Sequence, residues 1–307
     1  MNRQLRFSKQ SIYLMIAIGI TLFFWASAFV GIRLALQTYS PYHLGLLRYL
    51  TASMVLIPVA LCKKIRMPNL RELPVLLLAG VIGIGGYNVA LNVGEQTVTA
   101  SSASFVINTA PILTAIFAVL ALKEKLPWLG WFGIGISFIG VSFITIGEGN
   151  GLSLSSGILA IFLAALLHSG YIILQKKLFQ RYTSFEVTAF SIWFGTLFLL
   201  LFSKGSLTAI AHARIEPTLA IVYLGIFPGA IAYFTWSYTL SKLNASKAAS
   251  FLFLIPLLTI AIEFLCLRQM PRPIAIIGGI TAIGGVIVTN LGKRHLANKT
   301  AVNQSSS

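Results

Sequence analysis

Three ionisable side chains interrupt long apolar stretches of this sequence. Glu263 lies in SFLFLIPLLTIAIEFL (250–265), and Arg48 and His168 lie in two other apolar stretches. An acid at the centre of a membrane helix costs about 2.5–3.5 kcal/mol, and such residues usually face a cavity or a charged partner. Glu263 could therefore transfer protons or bind a substrate amino group. Alternatively, it could form a fixed ion pair with Arg48.

Arg48 and His168 also have two interpretations each. Arg48 could bind a substrate carboxylate, or it could anchor helix-end carbonyls. Histidine changes its charge near neutral pH, so His168 suits a proton relay with Glu263. A histidine in a membrane can also simply hydrogen-bond between helices.

A polar stripe on another stretch could form the wall of a pocket. Asn88, Asn92 and Glu95 are spaced i, i+4 and i+7, which places them on one helical face, and Tyr87 is adjacent. Such a stripe is costly in lipid, so we expect it to face the interior of a helical bundle, either as a cavity wall or as a packing seam.

The elements that carry these residues are predicted from composition. The 307 residues are 57% hydrophobic and 10% charged, whereas soluble proteins carry about 25% charged residues. Internal Gly and Pro favour packed membrane helices, and no alternating strand pattern of a β-barrel is present. We predict an all-α integral membrane protein with ten transmembrane helices. Their approximate ranges are 12–36, 43–62, 73–94, 100–122, 128–147, 155–175, 185–203, 217–240, 247–267 and 273–292.

The net charge is +16, and the positions of the basic residues predict the orientation of the chain in the membrane. If the N-terminus is cytoplasmic, the loops place 17 Lys and Arg on the cytoplasmic side and 4 on the opposite side. This asymmetry follows the positive-inside rule and predicts that both termini are cytoplasmic. The basic excess therefore indicates topology, and we expect no nucleic-acid partner.

The sequence contains two copies of one pattern. Residues 100–122 resemble residues 245–267, and Pro111 aligns with Pro256 at an offset of 145. Each copy holds five predicted helices, so the second copy would enter the membrane in the opposite orientation, as in many secondary transporters. The predicted divisions are a cytoplasmic tail (1–10), a first repeat (11–146), a second repeat (154–292) and a second cytoplasmic tail (293–307).

The repeat also pairs candidate site residues between the two copies. His168 occupies the position that Trp25 has in the first copy, at an offset of 143, and Tyr233 and Trp236 align with the polar stripe. Trp25 could stack on a substrate or fill the core. The two prolines interrupt corresponding helices, because proline lacks the backbone N–H; they mark either the neighbourhood of a site or packing kinks.

Asn108, one turn before Pro111, could bind a freed carbonyl or a ligand. The predicted substrate-binding residues are Trp25, Arg48, Tyr87, Asn88, Asn92, Asn108, His168, Tyr233 and Trp236.

Several segments together resemble one transporter family. FFWASAFVGIRLAL (23–36), SPYHLGLLRYLTA (40–52) and the end of the first repeat (99–141) are similar to the EamA-type family of the drug/metabolite transporter superfamily. The resemblance covers about 11–292 and implies a ten-helix bundle in a bacterial inner membrane that moves small metabolites, often amino acids and often outward. Glu124 matches a family glutamate, but Gln269 stands at its counterpart in the second repeat. We therefore expect Glu124 to be structural, complementing the dipole of the helix that follows it.

The most consistent function is a secondary transporter that alternates access around a midplane cavity. Its expected substrate is an amino acid or a related zwitterionic or neutral solute. No P-loop pattern is present, so we do not expect this chain to use ATP to drive transport. We expect proton coupling or solute exchange instead. A channel, or a membrane scaffold or receptor that does not transport, remains the alternative.

An intramembrane enzyme is least expected, because the four histidines are scattered and Asp is absent. We expect no catalytic residues, cofactor or metal, and a monomer or a homodimer.

Overall fold

The computed structural model describes residues 9–98, 100–147, 155–267 and 273–305, and these residues contain helices and no strand. The α-helices are α1 (Lys9–Ala35), α2 (Pro41–Lys63), α3 (Leu73–Gly80), α4 (Tyr87–Glu95), α5 (Ala100–Ile107), α6 (Ala110–Leu122), α7 (Trp128–Gly147), α8 (Ser156–Leu178), α9 (Ser184–Leu199), α10 (Ser206–His212), α11 (Ile215–Leu224), α12 (Ala232–Lys242), α13 (Ala245–Ser250), α14 (Ile255–Leu267) and α15 (Pro273–Ser305).

The predicted all-helical membrane class is confirmed. Among the described residues, 8 helical stretches are long and apolar enough to cross a membrane, and two shorter apolar helices span Trp128–Phe143 and Ile276–Thr289. The short helix α10 was not predicted, and α15 continues helically to Ser305 through most of the segment predicted as a tail.

Corresponding helices are interrupted just before the two predicted kink prolines. α5 and α6 are separated by a tight turn in which the N–H of Asn108 donates to the carbonyl of Phe105 at 3.1 Å. α13 and α14 are joined by the 3-10 turn Phe251–Leu254. Pro111 and Pro256 lie in the first turn of the helix that follows each break, where a missing N–H costs little.

Two further interruptions were not predicted. The π-helical segments Val81–Gly86 and Gly225–Ile231 join α3 to α4 and α11 to α12. They occupy corresponding positions in the two copies, and such segments often lie near functional sites. Pro228 lies inside the second segment and cannot donate a helix hydrogen bond.

The two halves of the chain, which we define as 9–147 and 155–305, pack in a reciprocal pattern. α1 contacts α11 and α12, while its counterpart α8 contacts α4 and the first π segment. α2 contacts the second π segment, while its counterpart α9 contacts the first. Ser53 and Thr196, 143 positions apart, join their hydroxyls at 2.9 Å. Contacts therefore recur with the halves exchanged, as an approximate two-fold relation requires.

Glycines allow α7 and α15 to pack closely along their length. A Cβ at Gly140 would lie 2.6 Å from the carbonyl oxygen of Gly278 and would also collide with the backbone N of Ala282. A Cβ at Gly133 would collide with Thr289, and one at Gly285 with Ser137. These glycines therefore pack within the bundle.

Gly140→Ala is expected to destabilise the protein by about 1–3 kcal/mol, because the obstructing atoms are backbone atoms that cannot move aside. Gly135→Ala is the matched control on the same helix, since nothing lies within 4 Å of its Cβ. The control should be unchanged or more stable by up to about 1 kcal/mol, from helix propensity alone. Thermal unfolding in detergent measures both, and equal midpoints would contradict the assigned α7–α15 contact.

Glu124 is structural, as predicted, but it serves a different helix. Its carboxylate accepts hydrogen bonds from the N–H of Ala245 at 2.6 Å and from the N–H and hydroxyl of Ser246 at 3.3 and 2.6 Å. These groups begin α13 in the second half, whereas α7 begins only at Trp128. The carboxylate thus links the two halves by capping a helix across their interface.

Glu124→Gln is expected to lower the free energy of unfolding by about 1–3 kcal/mol, because the neutral amide replaces charge-assisted hydrogen bonds to α13. Glu216→Gln is the control, as Glu216 is exposed in the first turn of α11. Chemical or thermal unfolding in detergent compares the variants. A glutamine variant as stable as the control would show that the capping contact contributes nothing.

A further polar contact between the halves lies in the loops. Arg181 Nη1 and Glu72 Oε1 are 2.8 Å apart, and the Tyr182 hydroxyl also donates to Glu72. The Tyr182 hydrogen bond, and then that of Arg181, lower the pKa of the Glu72 carboxyl. Arg181 is 71% exposed, so the ion pair contributes little to stability.

Candidate functional site

A cavity lies where both halves meet, beside the helix breaks. The space between its atoms, counted out to its open mouth, is about 590 Å³. The centres of water-sized molecules can occupy about 60 Å³ of this space, which is room for several waters. Its lining residues are Trp25, Ala28, Phe29, Ile32, Arg48, Tyr87, Leu91, Ile107, Asn108, Ala110, Pro111, His168, Tyr233, Leu252 and Ile255.

Equivalent positions of the two copies meet at this cavity. Trp25 and His168 both line it, and their rings pack edge to face at 5.7 Å between centroids. Ile107 and Leu252 are also equivalent positions, at an offset of 145, and both line the cavity. The cavity therefore lies close to the approximate two-fold axis.

Arg48 brings a buried positive charge to the cavity. Its side chain is only 3% exposed, and its Nη1 donates to Oδ1 of Asn88 at 3.2 Å. The Asn88 amide in turn donates to the carbonyl of Ile84 in the first π segment, which fixes its orientation. The guanidinium also lies 5.3 Å from the Tyr49 ring centroid, and its Nε has no partner within the described part of the chain.

No carboxylate side chain forms an ion pair with Arg48 among the described residues, where the one ion pair is that of Arg181 with Glu72. Glu95, at the end of α4, is close enough to interact with the charge of Arg48, but it does not line the cavity. The guanidinium is therefore held by one neutral amide and an aromatic face.

Aromatic rings also border the cavity. Trp25 packs at 5.4 Å from both Tyr233 and Trp236, and Tyr87 packs at 5.0 Å from His168. The indole N–H of Trp25 donates to the carbonyl of Pro228 at 3.3 Å. That carbonyl lies in the second π segment, so this irregular turn orients the tryptophan.

The helix irregularities lie next to several residues of the cavity. Tyr87 directly follows the first π segment and Tyr233 closely follows the second, so each irregular turn sets the direction of a cavity tyrosine. The hydroxyl of Ser169, beside His168, donates to the carbonyl of Ala110 at 3.0 Å and ties α8 to the break before Pro111. The breaks thus border the cavity and lie next to several of its lining residues.

Six of the nine predicted substrate-binding residues line the cavity, namely Trp25, Arg48, Tyr87, Asn108, His168 and Tyr233, together with the kink residue Pro111. Asn88 and Trp236 lie directly behind Arg48 and Trp25. Asn92 lies elsewhere, donating to the carbonyl of Pro41 at 3.0 Å, so this part of the polar stripe is a packing seam with α2.

Two predicted positions do not contribute to the described lining. The backbone of Glu263 lies in α14, but its side chain is outside the described residues, so its predicted pairing with Arg48 stays a prediction. Pro256 does not line the cavity, although its neighbour Ile255 does.

Sequence reasoning missed the apolar lining, especially Phe29, Leu91 and Leu252, because nothing in a sequence separates cavity-facing apolar residues from lipid-facing ones. In the described part of the chain, no group of three or more His, Cys, Asp or Glu residues could hold a metal ion.

Comparison with known proteins decides the family. The sequence profile of the EamA-like transporter family matches this chain twice, over residues 12–146 and 155–291. The chain belongs to the EamA-like transporter family. It is thus a multi-pass membrane transporter, not an enzyme.

Individual relatives agree with this family membership. The chain is 38% identical over 298 residues to "Uncharacterized transporter YdfC" of Bacillus subtilis, with 97% of each chain covered. It is 33% identical over 285 residues to a "Probable terminal-alkyne amino-acid exporter" of Streptantibioticus cattleyicolor, covering 92% of this chain and 96% of that one. A crystal structure with 20% sequence identity superposes with a TM-score of 0.76, covering 94% of this chain and 99% of that chain, and shows the same fold.

Proposed function

We propose that this EamA-like protein is a secondary transporter that exports or exchanges a small metabolite by alternating access. The substrate class is amino acids and related zwitterionic or neutral solutes. The relative whose name describes an amino-acid exporter supports this class. The absence of a P-loop pattern favours transport driven by solute or ion gradients.

The observation that carries the proposal is the cavity lined by matching positions of both halves. Trp25 with His168, and Ile107 with Leu252, come from equivalent places in the two copies. Helices are broken beside it, and discontinuous helices at a repeat interface are where secondary transporters bind their solutes. Movement of one half relative to the other would expose such a cavity to each side in turn.

The proposed topology has ten membrane-crossing segments in two inverted five-segment repeats, 11–146 and 154–292. The two shorter apolar helices, within α7 and α15, would complete the 8 longer spans. The loop charges support a topology with both termini in the cytoplasm, and the proposed location is the inner membrane of a bacterium. The protein would act there as a monomer or a homodimer.

Proton coupling is proposed through His168 and Glu263. His168 lines the cavity between the rings of Trp25 and Tyr87, and its Nδ1 has no partner within the described residues. A change of charge there would alter the binding of a charged solute in the cavity. Uptake into proteoliposomes with and without an imposed proton gradient tests this coupling, and equal rates would refute it.

Counterflow in proteoliposomes tests the transport function itself. Vesicles loaded with an unlabelled amino acid should transiently accumulate the labelled solute above equilibrium, because a carrier exchanges one molecule for another. A channel would give only equilibration, and a scaffold would give the background of empty vesicles. Either of these two results, across a panel of solutes of different charge, would overturn the proposal.

A further inference from the structure

We propose that the cavity recognises its solute by a carboxylate bound at Arg48 and does not require an ammonium group. Small apolar 2-hydroxy, 2-oxo and N-acyl acids would then be carried as well as amino acids. This inference rests on the proposed transport function and narrows its substrate class, because it excludes neutral and purely cationic solutes.

The burial and the hydrogen bonding of Arg48 support a carboxylate partner. The guanidinium of Arg48 donates a hydrogen bond to one amide, and its buried Nε has no partner among the described residues. It therefore has N–H donors left that could bind a solute. Burial of a charge is costly unless a counter-charge and hydrogen bonds compensate it. A carboxylate matches the planar fork of arginine with two parallel hydrogen bonds, which a neutral carbonyl cannot do equally well.

The described part of the lining offers nothing comparable for an ammonium group. The described lining contains no acidic side chain, and Glu95 lies outside it. An ammonium beside a carboxylate on Arg48 would also lie near the positive guanidinium. The aromatic faces of Trp25 and Tyr87 could attract it only weakly compared with a paired carboxylate.

The rest of the solute should be small and apolar. Phe29, Ile107 and Leu252 line the cavity with aliphatic and phenyl groups, and the centres of water-sized molecules can occupy only about 60 Å³ of it. Solutes with a second charge would leave that charge unpaired among these residues. The expected substrates therefore have one carboxylate and a short hydrocarbon side chain.

A matched set of leucine derivatives tests the inference on the purified protein reconstituted in proteoliposomes. Leucine, 2-hydroxy-4-methylpentanoate and N-acetylleucine share the carboxylate, whereas leucinamide and isoamylamine lack it. Loaded inside the vesicles, the three acids should stimulate uptake of labelled leucine with half-saturation values within about tenfold of one another. The two compounds that lack a carboxylate should give only the background of empty vesicles.

Variants connect the selectivity to the arginine. Arg48→Gln should weaken acid binding at least tenfold, because a charge-assisted bidentate contact is lost, while Arg33→Gln, an exposed change near the end of α1, should behave as the unaltered protein. Leucinamide as effective as leucine, or leucine more than 30-fold better than its 2-hydroxy analogue, would overturn the inference. Transport would still stand in both cases. If no solute of any charge exchanges, the transport proposal fails as well.

Discussion

Replacing Arg48 by methionine is expected to reduce solute exchange in proteoliposomes to the background of empty vesicles, at least a 100-fold loss. Methionine is of similar length and apolar, so it removes the charge that would hold the solute without opening a large void. Stability should change by less than about 2 kcal/mol, because two effects oppose each other. Removing a buried charge is favourable, but Oδ1 of Asn88 loses its donor.

Two comparisons separate binding from a purely structural role for Arg48. Arg48→Lys keeps a positive charge but loses the planar fork, so exchange should survive with a raised half-saturation concentration. Tyr42→Ala, an exposed change on the same helix, serves as the control. A methionine variant with normal exchange would contradict the account. A large loss of thermal stability, with exchange restored on cooling, would instead make Arg48 a structural anchor.

The second large effect is expected for Trp25→Ala. This change removes the ring that contacts His168, Tyr233 and Trp236, and it frees the carbonyl of Pro228. Loss of such a ring typically costs about 3–5 kcal/mol, and we expect a value near the lower end because Trp25 is only half-buried. Exchange should fall to background even at temperatures where the variant remains folded.

Trp25→Phe and Phe23→Ala make this test specific. Phenylalanine keeps an aromatic ring in the cavity but cannot donate to Pro228, so exchange should be reduced and not lost. Phe23 lies two residues away and is 51% exposed, so its truncation should leave exchange unchanged. If Trp25→Ala has the same half-saturation concentration and maximal rate as the unaltered protein, this ring does not belong to the solute pathway.

Much of the lining of the candidate cavity was predictable because the repeat places equivalent residues together. The offset of 143 pairs Trp25 with His168 in the sequence, and the two rings meet in the structure. Proline chemistry likewise predicts the helix breaks before Pro111 and Pro256. These inferences depend on duplication and on backbone donors, which a sequence displays directly.

The first π segment could not be predicted from the sequence. The run VIGIGG is compatible with an ordinary helix, but its glycines lie against large rings of the other half. A Cβ at Gly83 would collide with Tyr171, and one at Gly85 with Phe198. These contacts with the other half cannot be read from the sequence, so neither the packing of the segment nor the position of Tyr87 just after it could be predicted in detail.

Glu124 and Asn92 illustrate a similar limit. Helical periodicity correctly predicted that Asn92 is turned inwards, but not that the carbonyl of Pro41 would be its partner. A helix-dipole interpretation correctly made Glu124 structural, but its partner is α13, more than a hundred residues away. Local rules predicted that Asn92 is turned inwards and that Glu124 is structural. The packing of the chain determined which group each side chain binds.

Access to the cavity from both sides of the membrane tests the central claim most directly. Asn108 lines the cavity, so Asn108→Cys, combined with Cys62→Ser and Cys266→Ser, provides a single reporter thiol. A membrane-impermeant thiol reagent should label it in right-side-out and in inside-out vesicles, and saturating solute should slow both reactions. Labelling from one side only under all conditions, or from neither, would contradict a cavity that opens alternately to both sides.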